Sequence, residues 1–167
     1  LCGLPLLVEL LHAPVCAIVS SAAGALRNLA VEPETRDLLG RHALPVIVDS
    51  LPSAMEDPST ATPLPEACRP ADYAIRLSPR RVVPLLLLCL SILRGQLAFA
   101  QRFVELGGVN RCQYIALVDY TNITCLESDE ICNDPCHMAR HVLCLLWKMK
   151  KLWPVFKIVS FIKILDS

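Results

Sequence analysis

The chain has 167 residues, of which 54% are hydrophobic and only 5% aromatic, and its 16 Lys and Arg balance 16 Asp and Glu. That hydrophobic share is enough for a continuous core, while zero net charge excludes the overall field that draws a protein onto nucleic acid or acidic lipid. Leu, Val, Ile and Ala with few aromatics suit close-packed helices better than β-surfaces, so the fold class expected is all-α.

The first apolar stretch, Gly3-Leu4-Pro5-Leu6-Leu7-Val8-Glu9-Leu10-Leu11, has a modified copy at Ala43-Leu44-Pro45-Val46-Ile47-Val48-Asp49-Ser50-Leu51. A weaker copy runs from Gly108-Val109-Asn110-Arg111-Cys112 on to Val118. Between the first two, apolar residues three and four apart (Val15, Val19, Ala22, Ala23, Leu26, Leu29 and Ala30) predict a two-sided core helix. Glu34 to Gly40 reads as a short helix of its own, with Pro33 near its start and Gly40 near its end. Pro52 to Pro79 holds six prolines among Ser, Thr and acidic residues, which is loop chemistry. Val82 to Leu93 is the longest apolar run; Pro84 interrupts it and it falls far short of the roughly 20 residues a membrane span needs, so a buried helix is expected. Ala98 to Leu106, closed by Gly107-Gly108, is another short helix. The polar segment Glu127 to Pro135 should be loop, and Met138 to Lys151, carrying Val142, Leu143, Leu146 and Trp147, the last helix.

The copies starting at 3 and 43 match the period of about 40 to 47 residues of three-helix armadillo or HEAT units. The next copy, at 108, comes late by an amount the Pro-rich segment supplies. Residues 1–157 are therefore expected to form about three units, the first and last incomplete, with a Pro-rich loop over 52–79 and a polar loop over 119–135. Residues 158–167 are an atypical tail.

Nine cysteines scatter through apolar runs, as at Cys16, Cys89 and Cys144, where a thiol behaves as a small hydrophobe, which points to a reducing compartment. The opening Leu1-Cys2-Gly3-Leu4-Pro5 lacks both a basic region and an initiator Met, so the chain reads as a fragment without a signal peptide. Cys132, Cys136, His137 and His141 are the residue types that bind zinc, but the adjacency of Cys136 and His137 strains simultaneous ligation, and loop thiols with surface histidines are the expectation. Cys125 has no oxyanion donors or orienting third residue around it, so no enzyme, metal or cofactor is expected. Asn122-Ile123-Thr124 matches a glycosylation sequon that nothing else supports. Lys148, Lys150, Lys151, Lys157 and Lys163 interleave with apolar residues as on a membrane surface, yet Pro154 interrupts the pattern and a terminal helix over the core is expected.

Ser21-Ala22-Ala23-Gly24-Ala25-Leu26-Arg27-Asn28-Leu29-Ala30-Val31, followed by Thr35-Arg36-Asp37-Leu38-Leu39-Gly40-Arg41-His42-Ala43-Leu44-Pro45, resembles the late repeats of the delta-catenin and plakophilin family. The resemblance continues through Ala100-Gln101-Arg102-Phe103 to Gly107-Gly108-Val109, and through Ala139-Arg140-His141-Val142-Leu143 to Trp147. Pro79 to Pro84 and residues 158–167 depart from it. It implies an armadillo-type right-handed α-solenoid and a non-enzymatic scaffold of cell–cell junctions, cytoplasmic and also nuclear. Its implied partner, in the full-length protein, is a cadherin cytoplasmic tail, which would bring the protein to the plasma membrane peripherally. The family's cadherin groove is built mainly by earlier repeats. Within this chain Asn28 stands where armadillo proteins place an Asn that can bond an extended peptide backbone. Arg27, Arg36 and Arg41, with His42, could form a basic edge for an acidic segment. The rival readings are a structural cap closing the solenoid without a ligand of its own, and a zinc module.

Overall fold

The computed structural model describes residues 3–54, 70–120 and 134–149, and there it is helical with no strand. Eight α-helices are described: α1 (Leu4–Glu9), which runs into a 3-10 turn at Leu10–His12, α2 (Cys16–Leu29), α3 (Pro33–Ser50), α4 (Pro70–Leu77), α5 (Pro79–Leu93), α6 (Leu97–Glu105), α7 (Gly108–Leu117) and α8 (Pro135–Lys148). A chain with 13 prolines stays helical because several of them open helices. Pro33, Pro79 and Pro135 each stand at a first helical position, where no partner for an N–H is needed. None of the described helices is long and apolar enough to cross a membrane.

The helices stack as successive layers of a solenoid. α1 and α2 form the first layer, α3 to α5 the second, and α6 to α8 the third, which has three helices of its own. Last helix packs on last helix, α2 against α5 and α5 against α8, while α1 meets α3 and α3 meets α6. One continuous core runs through the layers, with Leu26, Leu39, Leu85, Leu88, Phe103 and Leu146 wholly buried. Each such side chain contributes about 1.5–3 kcal/mol of transfer free energy. α5 is buried along nearly its whole length, as its apolar run requires of a middle layer.

Three local expectations change. α3 does not stop at Gly40 but continues to Ser50. Gly40 is fully inside the packing, and a Cβ built on it would stand 2.5 Å from Cε1 and Cε2 of Phe99, so this glycine admits the α6 ring and ends nothing. Pro45 sits within the same helix, leaving the ladder one bond short at the Arg41 carbonyl. α2 buries Val19, Ala22, Ala23 and Leu26 on one side only; Val15, Ile18 and Leu29 are 41–51% exposed. Within the Pro-rich segment α4 is a helix, because Tyr73 and Leu77 lie one turn apart and both reach the core. Residues 55–69 of that segment, 121–133 of the polar loop and the tail from 150 onward lie outside the described residues, as do Asn122-Ile123-Thr124, Cys125 and Cys132.

α6 locks the third layer by one device used twice. Phe99 and Phe103, one turn apart, each lay a ring edge on a glycine: Phe99 on Gly40 of α3 and Phe103 on Gly108 of α7, where an added Cβ would meet the ring at 2.5–2.6 Å. Gly107 makes the turn between α6 and α7 with φ of +80°, a left-handed conformation that favours glycine.

Candidate protein-binding site

A recess of about 380 Å³ opens where the last helices of the three layers meet. Its wall comes from four elements, with the guanidiniums of Arg27 of α2, Arg36 of α3 and Arg94 just after α5, and the imidazole of His141 of α8. Its floor is apolar, from Leu87 and Leu90 of α5 and Met138 of α8, and among the described residues no Asp or Glu lines it. Stacking creates this grouping, since α2 and α8 each pack on α5 and so carry their side chains to its two flanks.

Arg36 has a second task. Its Nε donates to the Ala30 carbonyl at 2.9 Å and its Nη2 to the Val31 carbonyl at 3.1 Å, closing the C-terminal end of α2. Those carbonyls are the groups a helix leaves without internal partners, at its negative end. Arg36 is thus held in place before any ligand arrives, with Nη1 left over. Arg27 and Arg94 are exposed and make no hydrogen bond or ion pair with described residues.

A second recess, of about 250 Å³, contains His12, Asp49, Ser50, Arg76 and Arg81. It is cationic in name only. Arg81, 4% exposed, donates to the carbonyls of Ala13 at 2.5 Å and Leu11 at 3.1 Å, and burial pulls its pKa down. Arg76 donates to the carbonyls of Asp49 and Leu51, and Arg111 to that of Leu51, with Arg111 also 3.8 Å from the Asp49 carboxylate. These guanidiniums neutralise helix ends and a carboxylate, so they hold the fold and leave little field for an anion.

Of the residues singled out in the sequence, the structure brings Arg27 and Arg36 together in the first recess. Asn28 is exposed at the end of α2 but does not line it, and Arg41 is paired with Asp37 at 2.7 Å along α3. Arg94 was not singled out, and His141 was named only among the zinc-binding residue types. One trace existed: Leu93-Arg94 straddles the end of α5 as Leu26-Arg27 stands in the last turn of α2, 67 positions earlier.

Three of the described thiols, Cys89, Cys112 and Cys136, are held away from the reactive thiolate form. Burial pushes Cys112 up to about 12 and Cys136 up to about 11, the latter also beside Asp134, and Cys89 is raised well above the ordinary thiol value by burial. All three stay protonated near neutral pH, and the thiolate is the nucleophilic form. Cys136 instead donates to the carbonyls of Ile115 and Val118 at the end of α7, while Asp134 accepts from the Cys136 amide as the cap of α8. Among the described residues no three His, Cys, Asp or Glu side chains gather as metal ligands would.

An armadillo/beta-catenin-like repeat model matches residues 2–31. The juxtamembrane domain-associated catenin of Caenorhabditis elegans is 31% identical over 155 residues, which is 93% of this chain and 10% of that protein. Plakophilin-4 of Mus musculus is 27% identical over 155 residues, again 93% of this chain and 11% of the relative. Catenin delta-2 of Homo sapiens is 38% identical over 60 residues, 36% of this chain and 5% of the relative. The chain therefore spans about a tenth of the length of the curated relatives that it matches almost throughout. No solved structure matches it significantly.

Proposed function

The chain belongs with the armadillo-repeat proteins of the delta-catenin and plakophilin family, and we propose that it works there as a non-enzymatic binding scaffold of cell–cell junctions. The observation that carries this reading is the recess at the meeting of α2, α5 and α8, with cationic walls over an apolar floor. Such a surface binds by complementary charge and burial without making or breaking bonds. In the full-length protein the partner is a cadherin cytoplasmic tail, and the site of action is the cytoplasmic side of the junction. The name of the nematode relative, a catenin associated with a juxtamembrane domain, supports this partner class. Arg27 and Arg36 contact the partner from the recess, Asn28 offers its amide to a segment that extends along α2, and Arg41 contributes charge from the edge while paired with Asp37.

The test is a fluorescence anisotropy titration of a cadherin juxtamembrane peptide against this chain, with helicity followed on the same sample and a complete armadillo array as control. Saturable binding supports the scaffold reading for this portion. A helical chain that stays silent while the complete array binds assigns it the role of a structural cap.

A further inference from the structure

We propose that the recess between α2, α5 and α8 takes a phosphoserine or phosphothreonine of a partner protein, with a neighbouring apolar side chain seated on its floor. This rests on the scaffold reading and adds the chemistry of what is held. Three guanidiniums and an imidazole from four separate elements surround one space with no carboxylate among the described residues that line it. At about 380 Å³ it lies at the small end of the range for compact ligands, so the positive charge gathers around one point instead of spreading along a strand.

A run of carboxylates on an extended chain delivers one charge every ~3.3 Å or more. A phosphate monoester brings nearly two charges and three acceptor oxygens to one place, and arginine forks match that geometry. Arg36 is already fixed by the Ala30 and Val31 carbonyls, so little side-chain freedom is lost when Nη1 meets an oxygen. The floor of Leu87, Leu90 and Met138 selects the source of the phosphate. A protein segment supplies an apolar side chain beside its phosphate, which a lipid headgroup or free phosphate does not.

The experiment uses the intact chain and a degenerate peptide library with phosphoserine fixed beside an apolar residue, together with its unphosphorylated twin, read by anisotropy at constant ionic strength. The phosphorylated library is expected to bind at least about tenfold more tightly and to be displaced by inorganic phosphate. Arg94→Ala should weaken it about five- to tenfold and the unphosphorylated twin by clearly less, with helicity unchanged, and Arg94→Lys should restore only part. Arg36 is unsuitable as the test position because its loss also opens the end of α2. Equal affinity for the two libraries, or indifference to Arg94→Ala, overturns the inference and leaves the scaffold reading to the cadherin titration. Binding to phosphoinositide vesicles with both libraries silent overturns it in favour of a membrane ligand.

Discussion

Replacing Gly40 with Ala sets helix propensity against packing. Ala is favoured over Gly inside a helix by about 1 kcal/mol, so on propensity alone the change would stabilise α3. The added Cβ would stand 2.5 Å from Cε1 and Cε2 of Phe99 and closer still to Cζ, about 1 Å inside a normal carbon contact. Phe99 is only 8% exposed, so its ring cannot swing into water without giving up its burial. Overpacking of this kind costs about 1–3 kcal/mol, and here the upper half applies because the displaced ring shares α6 with Phe103, which is seated on Gly108 in the same way. Subtracting the propensity gain leaves a net loss of about 1–2 kcal/mol, or a melting temperature lower by about 2–8 °C for a chain of this size. Gly24→Ala is the control: its added Cβ meets nothing within 4 Å, so it should gain about 2–4 °C. Melting followed by circular dichroism reads both, and adding Phe99→Leu to Gly40→Ala should recover part of the loss. A Gly40→Ala protein that melts at or above the parent temperature would refute the docking of α6 through a glycine notch.

Arg81→Ala strips the Leu11 and Ala13 carbonyls of their donor and should cost about 2–3 kcal/mol in urea denaturation, whereas Arg102→Ala on the exposed side of α6 should stay within about 0.5 kcal/mol. Cys112 keeps its proton in the folded chain up to about 12 but loses it near the ordinary value of 9.0 when unfolded, so its stabilisation is full below pH 9 and is lost as pH rises through that window. Unfolding free energies from urea titrations should fall as pH rises from 9 towards 11, by up to about 1.4 kcal/mol per pH unit for this thiol, and Cys112→Ala should flatten the slope. Asn28→Ala should leave helicity intact and weaken the cadherin peptide about two- to fivefold; an unchanged affinity removes Asn28 from the contact.

What could be read in the sequence was whatever the chain decides locally. The apolar spacing of Val19, Ala22, Ala23 and Leu26 gave α2 nearly to the residue, and Gly107-Gly108 gave the end of α6, because helix periodicity and left-handed glycine are properties of a few neighbours. Gly40 was misread as a helix end because the same residue type serves tight packing, and its partner Phe99 is 59 positions away. Pro70 was counted as a breaker, although the Tyr73 and Leu77 pair beyond it carries enough burial for one short helix. Arg27 and Arg36 stand in the repeat motif, while Arg94 and His141 come beside them only through the stacking of α5 and α8.

Net charge was the least informative quantity, and the reason bears on how the recess works. Arg36, Arg76, Arg81 and Arg111 reach the carbonyls of helix ends, and Arg41 is paired with Asp37. Those guanidiniums are committed to the fold, Arg36 only through Nε and Nη2, so the zero total says nothing about where uncommitted charge lies. Arg27 and Arg94 are exposed, so the field they set up is screened by salt, whereas the buried bonds of Arg81 are screened far less. Raising salt from about 0.05 to 0.5 M should therefore weaken an acidic or phosphorylated ligand by roughly tenfold or more and move the melting temperature by only about 2 °C. The two readouts separate arginines that bind from arginines that hold helices together. If melting temperature and affinity fall in step, Arg27 and Arg94 are also part of what holds the layers, and the recess loses its claim to a ligand.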